Sequence, residues 1–309
     1  MRESDNQELR AGYVAMQTRG VWWQLDYAAI KISGEDRAEW IQGQITQDAR
    51  KLESQSFLRG CICDAKGSII APVILTALDE FELMFVPSFL VHKIIERFST
   101  HVIAEDVQGE IVEGYPYFTV QGPGAQDILD QAIKRGQSQH IPISAPYSSS
   151  LQSGFDVIGL SSADFEGEYM ASDDLQNTLR LESGLPNDLE ITTGRVFPPE
   201  LGPRFESETV SYNKGCYVGQ EILMRLHSRG HTNRQWQVIR SQLEPLNVHD
   251  SILDSNGTKI GEITSVGFSP LLGWLSAGFF RNDTFDKSET LITQSGTAIF
   301  KLPKAANEV

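Results

Sequence analysis

The sequence predicts an α+β protein of more than one domain, with a small β-barrel at its C-terminal end. Strand-like and helix-like segments recur along the first 230 residues, but strands often follow one another directly. That order favours α+β domains over a doubly wound sheet. Beyond residue 234 the chain changes to short strands separated by turns, which is typical of a small barrel. A chain of 309 residues also has room for two or three hydrophobic cores.

Hydrophobic periodicity and turn residues locate the elements of the first half. A strand is predicted over residues 27–33, Gly34 ends it, and a helix follows over residues 35–44. Residues 57–64 and 68–78 are predicted to form a hairpin that turns at residues 64–67. The other predicted strands cover residues 81–86, 117–120, 155–160 and 168–171, and the other predicted helices cover residues 90–98, 125–134 and 175–183.

The second half begins with irregular segments and ends with the barrel pattern. Residues 138–153 are rich in Ser and Pro and predict a loop. Residues 184–212 contain four prolines and predict an irregular connection. A helical pattern starts at Gln220. The predicted barrel strands cover residues 235–242, 259–268, 275–280 and 297–301.

Composition places the chain among ordinary globular proteins, with 40% hydrophobic and 22% charged residues. The first ten residues are polar and charged, so we expect no secretory signal. The longest apolar stretches run to about ten residues, which is too short to cross a bilayer. Three cysteines are too few for a disulfide framework and fit a reducing cytoplasm, where we expect the protein to reside.

The net charge of −15 argues against a general affinity for nucleic acid, and we expect no direct nucleic-acid partner. Residues 214–234 nevertheless form a basic island, with four Lys or Arg residues against one acid. A basic island in an acidic protein suggests a specific anionic ligand. The alternative is a solvated helix face that carries scattered arginines.

The stretch from Lys214 to Glu221 places Cys216 between two glycines, two residues after a lysine and just before a predicted helix. Unpaired N–H groups at a helix start and a nearby cation both favour thiolate over thiol. We therefore predict that Cys216 is a poised cysteine with Lys214 beside it. The alternative for Cys216 is a buried small hydrophobe. Glu221 has its own alternative, which is simply to favour the positive end of the helix dipole.

Other candidate sites are weaker, and we predict no resident metal. Cys61 and Cys63 lie one residue apart on a predicted strand, and we expect their sulfurs to face opposite ways. His227 and His231 are four residues apart, but Gly230 interrupts their helix, which disfavours zinc. Neither a dinucleotide fingerprint nor a phosphate-binding loop signature occurs in the sequence.

The octapeptide Lys214-Gly-Cys-Tyr-Val-Gly-Gln-Glu221 resembles the signature of the folate-binding iron–sulfur cluster assembly and repair proteins. These proteins are a branch of the aminomethyltransferase (glycine-cleavage T-protein) superfamily and are also described in bacteria as tRNA-modifying proteins. The other blocks that resemble this family, in the expected order, are residues 32–36 with 42–48, residues 121–125, residues 179–184, and residues 261–265 with 269–270.

The resemblance implies a three-domain ring with a central folate pocket. The implied domains are a discontinuous folate-binding α+β domain over residues 1–45 and 113–230, an inserted α+β domain over residues 46–112, and a β-barrel over residues 231–309. It also implies tetrahydrofolate or a derivative as cofactor, and iron–sulfur apoproteins or cluster carriers as partners. The residues assigned to folate on this basis are Gln44, Tyr217, Gln220, Glu221, Arg225 and Arg229.

The sequence departs from the transferases at one place. Their hairpin continues into an acidic pair that serves the transfer chemistry, whereas this chain has Ala71-Pro72. We therefore expect a tetrahydrofolate-binding accessory protein for iron–sulfur cluster assembly or repair, in which Cys216 is a transient ligand. The alternatives are a folate-dependent aminomethyl or methyl transferase, a scaffold for a tRNA-modifying enzyme, and a cysteine-dependent redox enzyme.

Overall fold

The computed structural model describes residues 3–54, 56–136, 140–241, 244–285, 291–293 and 297–301. The strands are β1 (Val21–Leu25), β2 (Tyr27–Ser33), β3 (Leu58–Cys63), β4 (Ile69–Ala77), β5 (Glu82–Pro87), β6 (Gln108–Val112), β7 (Tyr117–Gln121), β8 (Ile143–Pro146), β9 (Gly154–Ile158), β10 (Arg234–Ser241), β11 (Ser251–Leu253), β12 (Lys259–Ser269), β13 (Gly273–Arg281), β14 (Leu291–Thr293) and β15 (Ala298–Lys301). The α-helices are α1 (Glu3–Thr18), α2 (Arg37–Gln44), α3 (Val91–His101), α4 (Ala125–Arg135), α5 (Asp173–Glu182), α6 (Asp188–Thr192), α7 (Pro203–Thr209), α8 (Gln220–Arg229) and α9 (Asn282–Phe285).

A four-stranded antiparallel sheet, in the order β1-β7-β9-β8, has a hydrophobic core on each face. Side chains of β1 alternate between the two cores, as the two-residue period of a strand requires. Trp22 joins the core under α4, whereas Val21 and Trp23 join the core under α1 and α5. Burial on both faces explains why the strand is nearly all apolar.

A five-stranded antiparallel sheet, in the order β3-β4-β5-β2-β6, packs against α2 and α3 on one face. Successive side chains of its strands again point to opposite faces and so lie in two different cores. Met84 and Val86 lie under the two helices, whereas Leu83 and Phe85 lie in the core shared with Tyr117 of the first sheet. The two sheets therefore meet through a common apolar layer.

The C-terminal segment is a closed six-stranded barrel, in the order β10-β13-β12-β11-β14-β15. Closure removes the unpaired edges that an open sheet of such short strands would expose. Its interior is filled by aliphatic and aromatic side chains that include Ile263, Phe280 and Phe285. Helix α5 packs on the outside of β12 and β13. The α+β class and the barrel predicted from sequence are thus confirmed.

Sheet membership bears on the predicted domain limits, which stay a prediction. The four-stranded sheet takes β1 from residues 1–45 and its other strands from residues 113–230. The five-stranded sheet takes β2 from residues 1–45 and its other strands from residues 46–112. A limit drawn by sheet membership would therefore fall at Asp26, between β1 and β2.

Several predicted segments differ from the structure. The loop predicted over residues 138–153 contains β8, although residues 138 and 139 lie outside the described ranges. The strand predicted over residues 168–171 is reduced to a single bridge between Met170 and Trp22. The connection over residues 184–212 contains α6 and α7. Helices α1 and α9 and strands β1, β6, β11 and β14 were not predicted. Within the described ranges, no helix is both long and apolar enough to span a membrane.

Candidate functional site

The turn that carries Cys216 is held between two elements distant in sequence. On one side, the Val218 backbone N–H donates to the carbonyl of Gly43 in the last turn of α2, at 3.2 Å. On the other side, Gly219 packs directly on the turn of the β3–β4 hairpin. The helical pattern predicted from Gln220 is confirmed as α8. The position of the cysteine is therefore set by α2, the hairpin and α8 together.

Gly219 is required at this contact for two reasons. Its φ of 88° is in the left-handed region, and a Cβ there would lie 2.5 Å from the carbonyl oxygen of Asp64. The hairpin turn opposite is itself fixed, because the Asp64 carboxylate accepts from the backbone N–H groups of Lys66 and Ser68 at 2.8 and 2.9 Å. Two rigid turns thus meet backbone to backbone.

Lys214 is buried and donates all three ammonium hydrogens to backbone carbonyls. Its Nζ lies 2.6 Å from the oxygen of Gln42, 2.8 Å from that of Ile45 and 2.8 Å from that of Gln47. Burial lowers the pKa of Lys214 to about 8. The sequence pattern placed this ammonium beside the thiol. In the structure its three hydrogens are instead donated to backbone carbonyls at the end of α2. Lys214 therefore has no hydrogen left to donate to Cys216 and can act on the thiol only through its positive charge.

Cys216 is exposed, whereas the other two cysteines are buried. The alternative in which Cys216 is a buried small hydrophobe is therefore wrong. Beside it, a Cβ built on Gly215 would meet no atom within 4 Å, so the turn is open on that side. An exposed thiol on a fixed turn is accessible to a ligand or to a partner protein.

The side chain of Tyr217 points inward, into an apolar cluster that also contains Cys61, Cys63 and Trp236. The expectation that the two cysteines face opposite ways is wrong, because residues two apart on a strand share a face. Burial raises the pKa of the Cys61 thiol to about 12 and raises the pKa of Cys63 as well. The Tyr217 hydroxyl and the Trp236 indole N–H are both buried without a partner among the described residues.

Gln44 lies beside this turn, next to the carbonyl that holds Val218. Its Oε1 accepts from Nη2 of Arg97 on α3 at 3.0 Å. Arg97 is half-buried, its Nε has no partner among the described residues, and burial lowers its pKa. No carboxylate of a described residue lies within ion-pair distance of this guanidinium. Sequence reasoning missed Arg97, because it comes from a helix 53 residues beyond Gln44.

The remaining predicted ligands lie along α8. Gln220 is partly buried at its start, and Glu221, Arg225 and Arg229 are exposed. Glu221 and Arg225 form an i,i+4 ion pair of 3.5 Å in which both side chains are largely solvated. From Gln220 to Arg229 the helix rises by roughly 14 Å. The structure thus places Cys216, Tyr217 and Gln44 at one end of α8 and Arg229 at the other.

Comparison with known proteins agrees with this architecture. Residues 14–149 match the family described as the GCVT N-terminal domain. The fold is similar to that of glycine cleavage system aminomethyltransferase T from Bartonella henselae, with a TM-score of 0.78, 16% identity, and coverage of 96% of this chain and 88% of that one.

Two curated relatives share more sequence. One, named tRNA-modifying protein YgfZ from Colwellia psychrerythraea, is 26% identical over 253 residues, or 77% of this chain and 78% of its own. The other, named tRNA-modifying protein YgfZ from Hamiltonella defensa, is 25% identical over 221 residues, or 66% of this chain and 65% of its own.

The chain is similar to the YgfZ-like branch of the aminomethyltransferase superfamily.

The hairpin beside Cys216 carries Ala71-Pro72, where the resemblance implies an acidic pair in the transferases. Here the chain runs from the turn at Gly67 into β4, which contains Ala71 and Pro72, and Ala71 is completely buried in the core under α2 and α3. A methyl group and a pyrrolidine ring cannot accept a proton or hold an amine. In this chain the turn of the hairpin supports the cysteine turn through its contact with Gly219.

Proposed function

We propose that this chain is a tetrahydrofolate-binding accessory protein for the assembly or repair of iron–sulfur clusters in target enzymes, including tRNA-modifying enzymes. The observation that carries the proposal is the exposed thiol of Cys216 on a turn fixed by α2 and by the β3–β4 hairpin. The link to tRNA modification comes from the name of the two YgfZ relatives.

The residues beside the turn fit a reduced folate. A pterin is flat and carries hydrogen-bonding atoms along its edge, so it needs an aromatic surface and polar groups without other partners. The unpartnered Tyr217 hydroxyl and Trp236 N–H are two such donors in one apolar cluster. Gln44 beside the cysteine turn, and Arg97 bonded to it, add an amide and a cation. When bound, tetrahydrofolate supplies a carrier for one-carbon units.

The glutamate tail of the folate needs cations, and we assign it to Arg225 and Arg229. Both guanidinium groups are exposed on α8, C-terminal to Gln220, which is the first residue of the helix. An extended ligand with its ring near Tyr217 and Gln220 would follow α8 toward them. Glu221, through its ion pair with Arg225, would orient that arginine.

Cys216 would act as a ligand to the cluster, which is cargo and not a resident cofactor. After losing its proton to solvent, the thiolate would form one iron–sulfur bond by displacing one thiolate of the delivering protein, which leaves and takes up a proton from solvent. A single thiolate cannot hold a cluster that normally requires four ligands. The remaining ligands therefore come from the delivering or receiving protein, and the exposure of Cys216 permits that shared, transient geometry. Lys214 keeps the turn in place during the exchange.

The alternative, a folate-dependent aminomethyl or methyl transferase, is less well supported. The transferases rely on an acidic pair at the position of Ala71-Pro72, and neither of these residues carries a titratable group. The other side chains of β4, from Ile69 to Ala77, are aliphatic apart from one threonine, so the strand itself offers no replacement base.

The thiol half of the proposal is tested by complementation. In cells that lack this chain, the activity of an iron–sulfur tRNA-modifying enzyme is measured after expression of wild type or Cys216→Ala. We expect the variant to fold with an unchanged melting temperature, because the side chain is exposed, and to leave the enzyme inactive. The matched control is Cys61→Ala, which keeps the exposed thiol. Full rescue by Cys216→Ala would end the proposal.

The folate half is tested by calorimetric titration with tetrahydrofolate. Loss of Arg225 and Arg229 together, as the double Ala variant, should weaken binding about tenfold or more, since each charged contact contributes roughly 1 kcal/mol. A double Ala variant at the exposed Lys93 and Lys134 serves as the charge-matched control. Equal affinities of the two double variants would contradict the tail assignment, and no binding by wild type would contradict folate binding itself.

A further inference from the structure

A cleft lies away from the cysteine turn, between the connection that follows α6 and the start of the barrel. Its volume is about 1020 Å³. Three arginines, one histidine and two acids are among the residues that line it; the lining consists of Arg195, Glu200, His231, Thr232, Asn233, Arg234, Arg281, Asn282 and Asp283. Cys216 and the residues assigned to folate are not among the described residues of this lining.

Both acids of the cleft are already neutralised. The Glu200 carboxylate accepts hydrogen bonds from Nε and Nη2 of Arg234 at 3.0 and 3.2 Å. Asp283 pairs with Arg281 at 3.3 Å. Arg195 is different, because its guanidinium is exposed and lies 5.0 Å from the ring of Phe197, with no described carboxylate within ion-pair distance. The cleft therefore offers one uncompensated guanidinium, and such a group favours a phosphate or a carboxylate.

The cleft also contains an acceptor that lacks a donor. Asn282 donates through Nδ2 to the backbone carbonyl of Thr232 at 2.9 Å, and a carbonyl can only accept, so the orientation of the amide is fixed. Its Oδ1 is then left buried, without a partner among the residues that the structure describes. A ligand that satisfies both groups carries an anion for Arg195 and an N–H donor for Asn282.

We propose that this cleft binds a nucleoside monophosphate unit, either as a free nucleotide or within an RNA strand, with the phosphate on Arg195 and an N–H of the base on Oδ1 of Asn282. The inference goes beyond the proposed function and rests on it only where RNA is named as one source of the unit. It also agrees with the overall charge of −15, because one local guanidinium recognises one phosphate without a broad basic surface.

The test measures binding of AMP, ribose 5-phosphate, a short labelled single-stranded RNA and hexaglutamate to wild type, Arg195→Gln and Lys134→Gln. Lys134 is an exposed cation at the end of α4, so Lys134→Gln controls for loss of one charge. We expect AMP or the RNA to bind wild type, and Arg195→Gln to weaken that binding about tenfold, a loss common for one charged hydrogen bond. The slope of log affinity against log salt should fall by about 0.7 for the RNA. Lys134→Gln should change neither quantity.

The probes separate the sources and the rival ligand. Binding of AMP without RNA supports a free nucleotide, and binding of RNA without AMP supports a polymeric source. Ribose 5-phosphate binding as tightly as AMP would overturn the contact of the base with Asn282. Arg195-dependent binding of hexaglutamate alone would assign the cleft to an acidic peptide. Failure of both nucleotide probes, or binding insensitive to Arg195→Gln, ends this inference while leaving folate binding and the role of Cys216 untouched.

Discussion

Lys214 fastens the turn that carries Cys216 to the C-terminal end of α2. The last carbonyls of a helix have no partner within the helix, and a cation near them also interacts favourably with the helix dipole. The three carbonyls of Gln42, Ile45 and Gln47 converge on one ammonium group because α2 ends there and the chain turns back. With a pKa near 8, that group keeps its three hydrogens at pH 7.

Replacing Lys214 by Met should therefore destabilise the protein, since three buried carbonyls lose their donor. We expect a loss of about 3 kcal/mol in the free energy of unfolding, at roughly 1 kcal/mol for each hydrogen bond. The measurement is urea denaturation followed by tryptophan fluorescence. Lys66→Met, at an exposed lysine of the neighbouring hairpin turn, is the control and should change little. If the two variants unfold at the same urea concentration, the structural role assigned to Lys214 is wrong.

The β3–β4 hairpin and the turn before α8 act as one unit because Gly219 lets their backbones touch. Substitution of Gly219 by Ala combines an unfavourable φ with a Cβ 2.5 Å from a carbonyl oxygen. We expect Gly219→Ala to cost about 1–3 kcal/mol and to separate the two turns. Gly215→Ala is the matched control, since a Cβ at that position would have no atom within 4 Å and the φ of Gly215 is not positive.

The readouts are the melting temperature and the rate at which iodoacetamide alkylates Cys216. Gly219→Ala should lower the melting temperature and change the alkylation rate. Gly215→Ala should leave the melting temperature within about 1 °C of wild type. Equal melting temperatures for the two variants would show that the backbone contact at Gly219 does not stabilise the turn.

Elements with a strong local pattern could be predicted from sequence. Strand β2 was predicted at its observed limits, because its apolar residues alternate and Gly34 ends it. Helix α8 was predicted from Gln220, because a glycine precedes an amphipathic run. Strand β8 was missed, since it is a short edge strand inside a segment rich in Ser and Pro. Helix α1 was missed because its first turns are polar and carry little periodicity.

The cysteine turn could be predicted in part. The thiol and the glycines stand together in the sequence, so the exposed Cys216 and the start of α8 follow from local spacing. The partners of Lys214 could not be predicted, because they are backbone carbonyls more than 160 residues away. Arg97 and Trp236 also reach the site only through tertiary packing, for which no sequence spacing gives a signal.

Buried polar groups join the five-stranded sheet, α5 and the barrel. The Asp188 carboxylate on α6 accepts from the hydroxyl of Tyr27 on β2 at 3.0 Å. Glu190 on the same helix pairs with Arg180 at 3.2 Å and accepts from Ser265 of the barrel at 2.7 Å. The short helix α6 thus connects the five-stranded sheet to α5 and to the barrel. Ionisation of Asp188 on this helix should therefore affect the stability of the whole chain.

Asp188 gives that connection a pH dependence. Burial raises its pKa from 3.8 to about 6, against the opposing hydrogen bond from Tyr27. The folded state holds the proton of Asp188 more tightly than the unfolded state does. The protonated carboxyl therefore contributes its full stabilisation to the free energy of unfolding below about pH 4, and this stabilisation is lost as the pH rises through 6. Asparagine has the neutral shape and still accepts from Tyr27, so Asp188→Asn should not lose stability in this window.

Melting temperatures at pH 5 and pH 8 test this directly. Between these values the wild type should lose roughly 3 °C relative to Asp188→Asn. Asp79→Asn, at an exposed position, should follow the wild-type profile. A difference between wild type and Asp188→Asn that is the same at both pH values would show that Asp188 does not titrate in this range.

In the proposed function the folate site and the thiol are neighbours, and alkylation of Cys216 measures this most directly. Cys61 and Cys63 are buried, so iodoacetamide acting on the native protein reports on Cys216. Tetrahydrofolate at a concentration that saturates the protein by calorimetry should slow the alkylation severalfold. An alkylation rate that is the same with and without bound folate would show that the folate site and the Cys216 thiol are apart, and would contradict the proposed function.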